Sequence, residues 1–115
     1  MKAALQAYLD CYNASDLDGV MSLFAENATF EDPVGTPILQ GVAAIRNFFI
    51  NAMETPATLS LSAPIRGSHG NAAAMAFEAN AGQVTVRAIE VMTFDDNGKI
   101  TDLKAYIGPS DLIRA

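Results

Sequence analysis

The segment QVTVRAIEVMTF places one carboxyl group inside an otherwise apolar pattern. Read as a strand, it alternates side chains between two faces, so Val84, Val86, Ala88, Glu90, Met92 and Phe94 share one of them. Glu90 is the polar exception on that face. Desolvation disfavours the charged form of an acid, so a carboxyl in such surroundings is paired, lies near an opening, or stays protonated. An ion pair with Arg66 or Arg87, or a register that turns this face outward, would make Glu90 structural instead.

A second acid stands in FEDPVG, Phe30 to Gly35. Alternation groups Ala28, Phe30 and Asp32 on one face and Thr29 with Glu31 on the other. Asp32 is thus the inward acid and Glu31 the one expected to face water. Pro33 biases Asp32 toward an extended backbone, and an Asp before Pro is also a common turn former. An inward Asp can also take a catalytic role. The third group is Tyr8, on a helical stripe of Leu5, Tyr8, Leu9 and Tyr12 at i, i+3, i+4 and i+7. A Tyr there is ordinarily core, with its hydroxyl satisfied, yet Tyr8, Asp32 and Glu90 each point inward and could line one pocket.

Positioning these groups requires three helices followed by strands. The first helix covers Met1 to Asn13, and a second, short one runs through about Phe24, capped by Ser15 or Asp16. A strand covers Ala28 to Asp32. After Gly41 a third helix carries Val42, Ile45, Phe48, Phe49, Ala52 and Met53 on one face. Strand-length segments follow at Thr58–Ser68, Ala72–Asn80, Gln83–Phe94 and Lys99–Ile107, with Asp95–Gly98 (DDNG) as a hairpin turn. NAAAMAFEAN has helix propensity, and only its place between strands makes it one. The expected class is α+β, with a mostly antiparallel curved sheet.

Composition bounds the rest. A chain of 115 residues with 50% hydrophobic content suits a single domain over residues 1–115. The net charge of −6, with lysines and arginines scattered, disfavours nucleic acid and anionic membrane surfaces as partners. Gln6 and Asp10 interrupt the apolar run that a signal peptide needs, and no stretch approaches a membrane span, so a soluble, cytoplasmic protein is expected. Cys11 has no partner for an internal disulfide and reads as a small buried residue. His69, in RGSHGN, has no second ligand at metal spacing, so no metal is expected.

Beyond these physical readings, NASDLDGVMSLFAENATFEDPVG from Asn13 to Gly35 closely resembles the steroid Δ5-3-ketosteroid isomerases. The resemblance continues through GVAAIRNFF and AIEVMTFDDNGKI and covers nearly the whole chain in order. The wider group of cone-shaped α+β domains, NTF2-like and SnoaL-like, includes polyketide-cyclase-like proteins and nuclear transport factor 2. It usually lacks Tyr, Asp-Pro and an acid together at these places. The resemblance implies a cone-shaped sheet wrapped by three N-terminal helices around a deep apolar pocket, a homodimer, and catalysis without a cofactor.

It also implies roles: Asp32 as general base, Tyr8 as oxyanion-hole donor, and Glu90 where the family carries a protonated aspartic acid. The residues expected against a small hydrophobic, steroid-like ketone are Phe49, Met75, Val86, Ala88, Met92 and Ile107. Family members can carry Tyr at the position of Phe49 and commonly an aromatic residue at that of Ile107. A cyclase or an epoxide hydrolase would use the same acids, and the hydrolase would also want an inward arginine. Alternation puts Arg87 on the face opposite Glu90. A non-catalytic binder of small hydrophobic ligands would need no such convergence.

Overall fold

The computed structural model describes residues 1–114. Helix α1 (Lys2–Asn13) buries Leu5, Tyr8 and Leu9, the stripe that the i, i+3, i+4 spacing requires. Asp16, rather than Ser15, caps α2 (Leu17–Met21), its carboxylate accepting the Gly19 N–H at 2.9 Å. Helix α2 stops short of the expected Phe24, which instead opens strand β1 (Phe24–Glu31) by pairing with Ile100. The Ile100 N–H donates to the Leu23 carbonyl at 2.8 Å, so a distant strand claims backbone that local propensity leaves open. Strand β1 therefore begins four residues earlier than expected and ends at Glu31, immediately before Asp32.

A two-residue strand, β2 (Leu39–Gln40), pairs with β1 and was not legible in the sequence. Gly41, at a φ of 90° that favours glycine, turns the chain into α3 (Val42–Ala52). Strand β3 covers Thr58–Leu61 alone. Its expected continuation to Ser68 fails where Pro64, which has no N–H to give a ladder, interrupts it, and a single bridge between Arg66 and Ala74 remains. Strands β4 (Ala72–Asn80), β5 (Val84–Phe94) and β6 (Ile100–Tyr106) follow closely the expected bounds. A 3-10 turn (Pro109–Asp111) and strand β7 (Leu112–Arg114) complete the chain and were not expected.

The sheet runs β2-β1-β6-β5-β4-β3, with β7 added to β5 beyond the stretch where β5 meets β6. Strands β1 and β6 are parallel and every other pair of named strands is antiparallel. Helix α1 packs on β3 and β4, and α3 on β1 and β2, so the helices cover one face of a curved sheet. The α+β architecture is as expected. The alanine-rich β4 is a strand because Ala73, Met75 and Phe77 alternate into the core, and burial of that face outweighs helix propensity. In the DDNG turn, Asp95 Oδ1 accepts from the N–H groups of Asn97 and Lys99, both at 2.9 Å, and Gly98 takes φ 79°.

Because α1 carries Tyr8, its docking matters to the site. Leu5 is fully buried. Leu5→Ala is expected to cost about 2–4 kcal/mol in urea denaturation; a loss under about 1 kcal/mol would show that this helix face is not packed as described. Among the described residues, no helix is long and apolar enough to cross a membrane.

Candidate active site

The inner face of β5 divides into two parts. Val86, Ala88 and Glu90 line a cavity of about 130 Å³, whereas Met92 and Phe94, buried with Leu103 and Ile100, fill the closed end of the fold. Strand β4 repeats the division through its register: Ala79 and Phe77, opposite Val86 and Ala88, line the cavity. Met75 and Ala73, opposite Glu90 and Met92, do not. Glu90 thus stands at the floor, where cavity gives way to core. The small side chains at 79 and 88 leave space that larger neighbours fill elsewhere.

Three elements bring the polar groups to this floor. Helix α1 supplies Tyr8, 3% exposed, the residue after β1 supplies Asp32, and β5 supplies Glu90, 2% exposed. The Asp32–Pro33 peptide bond is cis. The ring of Phe49 meets that of Tyr8 edge-on at 6.0 Å, fixing the tyrosine within an aromatic cluster that includes Phe30 and Phe48.

Electrostatics separates the two acids. Burial raises the Asp32 pKa to about 6. Glu90 lies well above the ordinary range, first through burial and then through the neighbouring Asp32 charge, with the Tyr8 hydroxyl opposing in part. With a pKa of about 6 Asp32 is mostly ionised at neutral pH, and burial together with that charge favours the protonated form of Glu90. Tyr8 is likewise held well above its usual pKa by burial and by both acids, so it stays a donor. Among the described residues, Glu90 Oε1 is the buried side-chain polar atom without a hydrogen-bond partner. Such an atom costs about 1–3 kcal/mol unless something meets it. A carbonyl or enolate oxygen in the cavity would.

The structural alternatives for Glu90 do not hold. Arg87 points to the other face of the sheet, half-exposed, donating to the Ser110 carbonyl at 3.2 Å and 3.7 Å from Asp111. The Arg66 guanidinium donates to the Pro64 carbonyl at 2.6 Å. Neither lines the cavity, which removes the inward arginine that a hydrolase would use. Glu31 does occupy the opposite face, as alternation requires, but it is not simply solvated. Its Oε2 accepts the Gly35 N–H at 3.0 Å, and its Oε1 lies 3.7 Å from Lys104 Nζ, so it closes the loop after Asp32.

Of the side chains expected against a ligand, Phe49, Val86, Ala88 and Ile107 line the cavity. Met75 and Met92 are corrected: both are buried in the core below Glu90, because inward direction along a strand does not say where a cavity ends. The sequence reading missed Tyr12, Phe48, Ala52, Leu59, Phe77 and Ala79 as lining residues. Tyr12 had a visible signal, one turn beyond Tyr8 on the same stripe. A larger hollow of about 540 Å³ lies beside Ile89 and Tyr106 and shares Ala88 and Ile107 with the cavity, but none of Tyr8, Asp32 and Glu90 lines it. Among the described residues, no group of three His, Cys, Asp or Glu side chains is placed to hold a metal ion.

The model of the SnoaL-like domain matches residues 5–103. A steroid delta-isomerase of Nocardioides simplex is 35% identical over 116 residues, spanning 98% of this chain and 94% of the relative. Among solved structures, SalBIII, an epoxide hydrolase/cyclase-like enzyme with a role in pyran ring formation in the polyether salinomycin, is 29% identical. It superposes with a TM-score of 0.90, covering 99% of this chain and 95% of SalBIII.

Proposed function

The chain belongs to the SnoaL-like domain family, and from that membership we propose that it isomerises a hydrophobic β,γ-unsaturated ketone to the conjugated α,β form. The observation that carries this reading is the convergence of Tyr8, Asp32 and Glu90 on one apolar cavity, with Glu90 Oε1 buried and unpartnered. Asp32, ionised, takes the proton from the carbon between carbonyl and alkene. The electrons move into a dienolate whose oxygen accepts hydrogen bonds from the Tyr8 hydroxyl and the protonated Glu90 carboxyl. Protonated Asp32 then returns the proton to the γ carbon, and the double bond ends in conjugation. An Asp is a weak base for a C–H bond, so the donors must lower the acidity gap; the apolar walls strengthen them by excluding water. The 35% identity to a steroid delta-isomerase supports a ketone of that kind as substrate.

The test mixes purified protein with a Δ5-3-ketosteroid and follows ultraviolet absorbance of the conjugated enone. Asp32 fixes the pH dependence: kcat/KM is expected to be level above about pH 6 and to fall tenfold per pH unit well below it. No enone formation at pH 7, or an acid limb with its midpoint near 4, would count against Asp32 as the buried base.

The likeness to SalBIII supports a second reading. Asp32 would take the proton of a hydroxyl whose oxygen attacks an epoxide carbon of the same substrate; the epoxide C–O bond breaks as the ring closes, and Glu90 protonates the released oxygen. Formation of a cyclic ether from a hydroxylated open-chain precursor, without ketone isomerisation, would select it.

A further inference from the structure

At about 130 Å³ the catalytic cavity is smaller than the roughly 300–1,000 Å³ of typical small-molecule sites. A second cleft, of about 350 Å³, lies directly behind its wall. Neighbouring residues face opposite sides of that wall: Leu59 and Ala79 the cavity, Thr58 and Asn80 the cleft. Ala52 and Met53, at the end of α3, divide in the same way. Tyr12 is the residue common to both linings. Together the two spaces fall inside the usual range.

We propose that Tyr12 determines specificity as a movable partition: its displacement joins the cavity to the cleft, which receives the oxygenated far end of a multi-ring ketone. The ketone end rests on the isomerase reading, seated against Tyr8, Asp32 and Glu90. Tyr12 is free to act in this way. Its neighbour Asn13 is pinned, exchanging hydrogen bonds of 2.8 Å in both directions with the Leu59 backbone. No hydrogen bond among the described residues holds the Tyr12 hydroxyl, and the ring is half-buried, leaning on Tyr8 at 6.2 Å and Phe49 at 6.4 Å. Burial and then the charges of Asp32 and Glu90 raise its phenol pKa, which places the hydroxyl within the field of both acids.

The cleft differs in chemistry from the cavity. Thr55, Thr58 and Ser15 bring hydroxyls to it, and Asn80 brings an amide whose Oδ1 already accepts the Gly82 N–H at 3.0 Å. The amide nitrogen remains a donor, and hydroxyls both donate and accept. A distal hydroxyl or ketone suits this lining; a hydrocarbon end would leave it unpaired.

Binding of saturated ketones, which cannot be isomerised, tests the proposal apart from turnover. Cyclohexanone and two saturated 3-ketosteroids, one with and one without a hydroxyl on the ring farthest from the ketone, are titrated calorimetrically. The hydroxylated steroid is expected to bind about tenfold more tightly than its partner, and the surface double variant Thr58→Val, Asn80→Ala to erase most of that difference. Tyr12→Ala is expected to tighten both steroids at least fivefold relative to cyclohexanone, whereas Tyr12→Phe, which keeps the ring, shifts that ratio less than twofold. Equal affinity for the two steroids, or equal effects of the Ala and Phe variants, would overturn the partition. Should Tyr12→Ala not fold, the double variant still decides. Absence of turnover of a Δ5-3-ketosteroid with these binding ratios intact would sink the isomerase reading and leave the partition standing.

Discussion

Asp32→Asn is expected to lower kcat for isomerisation by about 10³–10⁴-fold and, at the same time, to make the protein more stable at pH 7. Asparagine keeps the shape but cannot take a proton, so the loss falls on kcat, while ligand affinity stays of the same order. The gain in stability follows from burial. Carrying the pKa from its ordinary 3.8 to about 6 costs the native state about 3 kcal/mol with the group ionised.

The sign is that of a raised acid. The native chain holds a proton that the unfolded chain releases between about pH 4 and pH 6, so this group's contribution is most favourable below pH 4 and falls as pH rises through 6. The asparagine variant lacks that slope. Urea denaturation should show it more stable than the parent by about 1–3 kcal/mol at pH 7, shrinking toward zero or reversing near pH 4. An inactive variant that is also less stable at pH 7 would show that the Asp32 carboxylate is stabilised rather than strained in the site.

Replacement of Glu90 separates hydrogen-bond donation from packing. Glu90→Ala removes a donor and opens a gap at the boundary of cavity and core, and is expected to lower kcat by about 10²–10³-fold. Glu90→Gln retains an N–H donor of nearly the same reach and is expected to lose about tenfold or less. Equal losses in the two variants would argue against donation. Tyr8→Phe is the companion case, losing one donor with the ring still seated against Phe49. The unpartnered Glu90 Oε1 gives the physical reason for expecting a binding signal as well: a ligand oxygen that meets it relieves a buried group no protein atom satisfies.

Much of the fold was readable because its signals are periodic. The i, i+3, i+4 stripe of α1, the alternation of β5 and the DDNG turn each appear where the sequence puts them. The errors are where pairing partners far along the chain decide. Phe24 is in a strand because Ile100 is beside it, Leu39–Gln40 is a strand because β1 is, and Leu112–Arg114 borrows the free edge of β5. For Phe24 and for Leu112–Arg114 the partner lies far outside any local window, and Leu39–Gln40 is too short to show a period of its own.

For the site, the sequence by itself determined which acids face inward. Alternation put Asp32 and Glu90 on buried faces and Glu31 and Arg87 on the others, because side-chain direction along a strand is a local property. Only the tertiary structure decided what those faces enclose. Met75 and Val86 both point inward, yet one is core and the other lines the cavity, since the space is set by how α1, α3 and the curved sheet close over Ala79 and Ala88. The same closure raises the pKa of Asp32 to about 6 and that of Glu90 well above the ordinary range, because desolvation depends on every group packed around a site and not on its sequence neighbours alone.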